Sequence, residues 1–375
     1  MGISEKFHDL LNNRHQYTSE WKEKKGDKVV GYLCNYVPEE MLYAAGILPV
    51  RILGSHEPQD ITEPHIFNMY CPFCRDCLAQ GLQGRYNYLD GIVTAHTCMH
   101  MRQVFDSWTK HLPVSYSYYM YMPAHVQSKY AQELLLEELV CFKQSLEGWI
   151  GNTISDRALD KAIDAYNTNR RLLKQAYELR KSDPPAISGA EAMEMVLTSM
   201  FMDKEEHSRL LQQALTELPK RKNSRESQIR LMLIGSANDD VEFARMTESL
   251  GADVVIEDHC TGSRYFWHEV VPEENRLAAI AANLIKKPPC PQKDLVERER
   301  FSYVLDLARD YDVQGAIVIQ QKFCDPHEFD IPPIRALLEK NDIPVLFLEF
   351  DLTIPAGQFR TRIEAFLEML QPKVA

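Results

Sequence analysis

Cys34, Cys71, Cys74, Cys77, Cys98, Cys141, Cys260, Cys290 and Cys324 offer the most chemistry in this 375-residue chain. Their count is odd, and a chain this long does not need disulfides to fold. Reduced cysteines in such a protein are buried small hydrophobes or metal ligands. Cys71-Pro-Phe-Cys74-Arg-Asp-Cys77 echoes bacterial ferredoxin spacing, but the fourth cysteine and its proline are missing. Zinc would need a second partnered pair, which the sequence lacks. In a helix, Cys74 and Cys77 would share a face, so both stay open between ligand and core hydrophobe. Cys98, Cys260 and Cys324 each follow an apolar, strand-like run. Ligands of open α/β sheets gather beyond strand carboxyl ends, so these thiols and Cys71 could converge in a cleft between two sheets. A [4Fe–4S] cluster can draw its thiolates from separate loops in this way. Cys34, at an expected strand start, Cys141, in a helix, and Cys290, in the loop PPCPQ, read as structural.

Other residues carry weaker signals. His96 and His100 bracket Cys98 and could share a helical face, or simply line a strand-end loop. In DHCTGSRYFW (258–267), Ser263 and Arg264 are candidate substrate or phosphate contacts. The competing reading is a turn capped by Thr261 and Ser263. In DLTIPAGQFRTR (351–362), Arg360 and Arg362 are candidate anion contacts or solvated helix-start charges.

These residues must be held by regular elements. LPVRIL (48–53), GIVTAH (91–96) and LPVSYSYYM (112–120) read as strands alternating with helices, and Pro38 opens a helix that Gly46 stops. RLMLIGSA (230–237), ADVVIEDH (252–259), GAIVIQQKFC (315–324) and PVLFLEFD (344–351) repeat the pattern. Both regions therefore predict parallel sheets. The expected division is an α/β domain with a helical arm over 1–145, a helical segment over 146–225 and a second α/β domain over 226–375. The 42 Lys and Arg against 54 Asp and Glu give a net charge of −12, which would repel a nucleic-acid backbone. No apolar run reaches the ~18–20 residues of a membrane span, and the polar start lacks an apolar signal core. A cytoplasmic protein is expected.

Five segments in register resemble the 2-hydroxyacyl-CoA dehydratase and benzoyl-CoA reductase family. They are YVPEEMLYAAGILPVRILG (36–54), CPFCRDCLAQGLQGRYNYLDG, GIVTAHTCMHMR, QQKFCDPHEFD (320–330) and EFDLTIPAGQFRTRIEAFLEML. The resemblance implies two flavodoxin-like domains clamping one [4Fe–4S] cluster in the inter-domain cleft, held by Cys71, Cys98 and Cys324. It also implies a larger homologous partner subunit and a separate ATP-hydrolysing iron–sulfur activator; no Walker A pattern is present here. Met99 stands where the family has Asp, and Cys74 and Cys260 depart from the dehydratase pattern. Three branches are open. CTGSRYFW, QKFCDPHEFD and TIPAGQFRTR most resemble the small active-site subunit of the ATP-dependent enzymes that reduce benzoyl-CoA to the dienoyl-CoA. The alternatives are the 2-hydroxyacyl-CoA dehydratases, which eliminate water through a ketyl radical, and the double-cubane reductases of small molecules. Ring reduction consumes protons, so His96, His100 and His327, each near an implied cluster cysteine, are the candidate proton donors. Asp325 and Glu328 fit helix capping better.

Overall fold

Among the described residues, short apolar runs closed by polar residues build eight strands, five of them buried along their whole length. A computed structural model describes residues 2–221, 228–294, 298–351 and 355–371. The strands are β1 (Val29–Tyr32), β2 (Leu48–Arg51), β3 (Gly91–Ala95), β4 (Tyr116–Met120), β5 (Ile229–Gly235), β6 (Ala252–Asp258), β7 (Gly315–Gln321) and β8 (Val345–Phe350). They form two four-stranded, wholly parallel sheets, ordered β2-β1-β3-β4 and β6-β5-β7-β8. Each is the flavodoxin-like order, which reverses direction between its first and third strands. Ligands bind at that reversal. The protein is thus an α/β fold of two such units, as the alternating pattern predicts.

β1 is not among the expected strands. Its run carries Gly31 in its interior, and a glycine there weakens the strand signal. The consequence is chemical, because Cys34 lies just beyond a carboxyl end and not at a strand start.

Helices Ala131–Ile150, Asp156–Glu178, Gly189–Ser199 and Lys204–Glu217 supply the long helical stretch between the sheets. Ser155, Ser188 and Asp203 cap the last three through side-chain bonds to backbone N–H groups. The N-terminal helix Ile3–Asn12 buries Ile3, Phe7 and Leu11, and packs against Gly189–Ser199. The expected boundary at 225–226 lies outside the described residues. No helix among them is long and apolar enough to cross a membrane.

Side chains from both units lock the cleft. Gln321 accepts the Phe73 N–H at 3.2 Å and donates to the Ala237 carbonyl at 2.5 Å. Opposite, the Gly54 N–H donates to Asp239 at 2.5 Å, and a Cβ at Gly54 would stand 2.9 Å from Asp76 and 3.1 Å from Asp239. Only glycine fits there. His56 Nε2 lies 3.2 Å from the same Asp239. Burial works against the charge of His56, but its bond to Asp239 prevails and lifts its pKa to about 9. A folded pKa above the unfolded value means the pair stabilises fully below about pH 6.5 and fades as pH rises through about 9. His56→Gln should therefore lower the denaturation midpoint at pH 6, by about 1 kcal/mol or less because the imidazole is partly exposed. At pH 10 wild type and variant should coincide; a gap that persists there contradicts the ion pair.

Candidate functional site

The carboxyl ends of both sheets face one another across the cleft, and their loops close around a cavity of about 70 Å³. Cys34, Cys71, Cys74, Cys98, Cys260, Cys290 and Cys324 line it. Seven of the nine thiols line this one cavity.

Three of them occupy equivalent places. Cys71 is the N-cap of helix Pro72–Leu82, Cys98 of Met99–His111 and Cys324 of Asp325–Lys340. The N-terminal ends of three helices thus point at the cavity with their positive partial charge, which favours thiolate over thiol. Just before Cys324, Phe323 takes φ 64°, turning the chain sharply from β7 into its helix. A hydrogen bond from Cys74 leads the causes that hold the Cys71 thiol down to about 5, with His100 adding to it against burial. Cys74 is raised by the same bond and by burial, while burial raises Cys98 and Cys324.

Cys34, Cys260 and Cys290 form the other side. The Asn35 side chain donates to the Cys260 carbonyl, so the loops after β1 and β6 are tied together. Arg51 donates to the Asn35 side chain at 3.2 Å, and Lys287 to the Asn35 carbonyl at 2.5 Å. The Cys290 N–H donates to the Tyr36 hydroxyl at 3.2 Å. Burial, then the neighbouring Cys260, lift Cys290 to about 12. Cys34 and Cys290, expected as structural, both line the cavity. Cys77 points away, bonding the Ile52 carbonyl at 3.7 Å, and Cys141 is exposed on helix Ala131–Ile150.

Of the histidines, His100 and His327 line the cavity and His96 does not. His100 Nδ1 accepts the Cys71 N–H at 3.1 Å, which puts the ring proton on Nε2. His327 is buried, and its Nε2 has no partner among the described residues. Burial, Arg264 and Arg300 keep it neutral. His96 instead packs against Tyr119 and Tyr121. Asp325 opens the helix after Cys324 but does not cap it, since Cys324 holds the cap position.

The anion candidates all have partners within the chain. Ser263 donates to the Glu257 carbonyl at 2.6 Å, and Arg264 pairs with Asp258 at 3.0 Å and donates to the Gly235 carbonyl at 2.5 Å. Both are buried. Thr261 likewise ties its turn to Asn238, which agrees with the capped-turn reading. Arg360 pairs with Glu364 at 3.2 Å on an exposed helix face, and Arg362 donates to the Phe347 carbonyl at 2.7 Å. Residues 352–354 of that segment lie outside the described residues.

Among the described residues, no three Cys, His, Asp or Glu side chains converge on a single-ion site. Buried thiols and three helix N-termini around one cavity fit an iron–sulfur group.

A family model described as "2-hydroxyglutaryl-CoA dehydratase, D-component" matches residues 34–370. The chain is 25% identical over 371 residues to the (R)-phenyllactyl-CoA dehydratase beta subunit of Clostridium sporogenes, covering 97% of each chain. It is 25% identical to one of the benzoyl-CoA reductase subunits of Thauera aromatica, covering 91% of this chain and 90% of the relative. It is also 25% identical to the beta subunit of (R)-2-hydroxyglutaryl-CoA dehydratase from Acidaminococcus fermentans, covering 92% and 93%.

Proposed function

The chain belongs to the 2-hydroxyglutaryl-CoA dehydratase D-component family, and from that premise we propose that it is a low-potential iron–sulfur reductase of the double-cubane branch. The observation that carries this reading is the seven-thiol wall. One cubane held by Cys71, Cys98 and Cys324 would leave Cys34, Cys260 and Cys290 without a role. Two cubanes use both sets, with Cys74 remaining as the hydrogen-bond donor to Cys71. Bound there, the group would supply single electrons at low potential.

The chain's own residues do the rest. Arg51, Phe73 and Met101 help wall the cavity, and the Gln321 bridge fixes the spacing of its two sides. His100 holds its Nε2 proton at the cavity rim, where it can be given to a reduced substrate. His327 offers a neutral ring with an unpaired Nε2. Electrons come from an ATP-hydrolysing activator protein, and the assembly is completed by a homologous subunit.

Membership of a benzoyl-CoA reductase is the second reading, favoured by the Thauera aromatica relative. The iron-loaded chain should be assayed with MgATP, an activator of this family and either benzoyl-CoA, a 2-hydroxyacyl-CoA or small multiply bonded molecules such as azide and acetylene. ATP-dependent turnover of the small molecules alone is the expected result. Dienoyl-CoA formation would select the second reading, and enoyl-CoA formation the dehydratases.

A further inference from the structure

Arg51 ends β2 at the carboxyl side of its sheet, where ligands of such sheets collect. Its backbone N–H donates to the Met200 carbonyl at 2.8 Å. Its guanidinium lies 5.5 Å from the centre of the Tyr32 ring and 6.0 Å from that of Phe73. The side chain is thus held in place, and it lines the cavity while only 2% of the residue is exposed. A buried guanidinium has five N–H donors to satisfy. The other buried arginines find acceptors for theirs. Arg75 pairs with Asp351, Arg180 with Glu257, Arg264 with Asp258, and Arg300 with Asp258 and Asp330. Arg230, at the start of β5, directs its donors at the carbonyls of Tyr311, Ser182 and Arg180. Arg51 has neither arrangement. Among the described residues its side chain makes one hydrogen bond, to Asn35 at 3.2 Å, and its Nε has no partner.

The wall around those idle donors suits an anion. No Asp or Glu lines the cavity, and Arg51 is the only Lys or Arg among its lining residues. A guanidinium presents a planar fork that grips a delocalised anion, such as azide, nitrite or a small carboxylate, through parallel charge-assisted hydrogen bonds. A neutral molecule in the same place leaves the donors buried and unpaired. We propose that Arg51 is the anion-binding residue of the cavity and that the substrates it selects are small delocalised anions. The inference rests on the small-molecule reductase reading and narrows its substrate class.

The test uses the full chain, reconstituted anaerobically with iron and sulfide. Its readouts are iron per chain, the azide dissociation constant from equilibrium dialysis, and KM for azide and for acetylene in the MgATP-driven assay. Arg51→Met should keep its iron and bind azide at least about ten-fold more weakly, since hydrogen bonds to a charged partner are lost. Its KM should rise at least about ten-fold more for azide than for acetylene. Arg51→Lys keeps the charge and loses the fork, so its azide affinity should fall between those of Arg51→Met and wild type. Should Arg51→Met lose its fold or its iron, the lysine variant carries the test alone. Wild-type azide affinity in either iron-loaded variant overturns the proposal, as does an equal loss for azide and acetylene. Iron shed from both variants overturns it too, because the guanidinium then serves the bound group and not a substrate. A wild-type chain that binds no iron overturns the reductase reading, and the inference with it.

Discussion

Serine at Cys71, Cys98 or Cys324 should remove at least half of the iron that the reconstituted wild-type chain binds. A buried serine hydroxyl stays protonated where the thiol is ionised by its metal, so the bond to iron is lost and not merely weakened. Serine at Cys34, Cys260 and Cys290 together should leave about four of roughly eight irons, because the helix-capping set can still hold one cubane. Cys77→Ser and Cys141→Ser should bind as wild type does, since neither thiol lines the cavity. Iron and acid-labile sulfide analysis of each variant decides the matter. Unchanged iron in the Cys34, Cys260 and Cys290 triple variant would reduce the site to a single cubane and remove the ground for the double-cubane branch.

The second large effect is on stability. Arg300 is completely buried, and it bonds Asp258 at the end of β6 and Asp330, at 2.6 Å, in the helix that Cys324 caps. Asp330 is further held by Arg298 at 2.8 Å. Arg300→Met deletes the cation shared by two buried carboxylates and leaves each with a single arginine, Arg264 for Asp258 and Arg298 for Asp330. A buried carboxylate left wholly alone typically costs about 3–5 kcal/mol, so the loss here should fall below that range. Denaturation of the metal-free chain should show that loss as a lower midpoint with the slope retained. A midpoint within error of wild type would mean that Asp258 and Asp330 are adequately held by Arg264 and Arg298.

Much of this architecture is legible in the residues. Seven strands follow from apolar runs of ordinary length, and the order of elements implies parallel sheets with thiols beyond their carboxyl ends. That rule brings Cys98, Cys260 and Cys324 to one place, and Cys71 with them. It fails for Cys34 because Gly31 interrupts the apolar run of β1, which therefore does not stand out as a strand. Cys290 follows helix Arg276–Lys286, not a strand, and its bond to Tyr36 joins residues 254 positions apart. No local pattern encodes such a contact. Ser263 and Arg264 show the converse limit. Their residue types suit phosphate, but their partners Glu257, Asp258 and Gly235 turn them inward. His96 and His100 are equally near Cys98 in sequence, yet only His100, inside the helix that Cys98 caps, reaches the cavity.

The most direct measurement is the iron and sulfide content of the wild-type chain after anaerobic reconstitution, with Mössbauer spectra to identify the iron species. Both thiol sets occupied corresponds to roughly eight irons per chain in sulfide-bridged form. About four irons would leave the family assignment intact and contradict the double-cubane reading. A chain that binds none, with its fold unchanged, would contradict an iron–sulfur role for the cavity altogether.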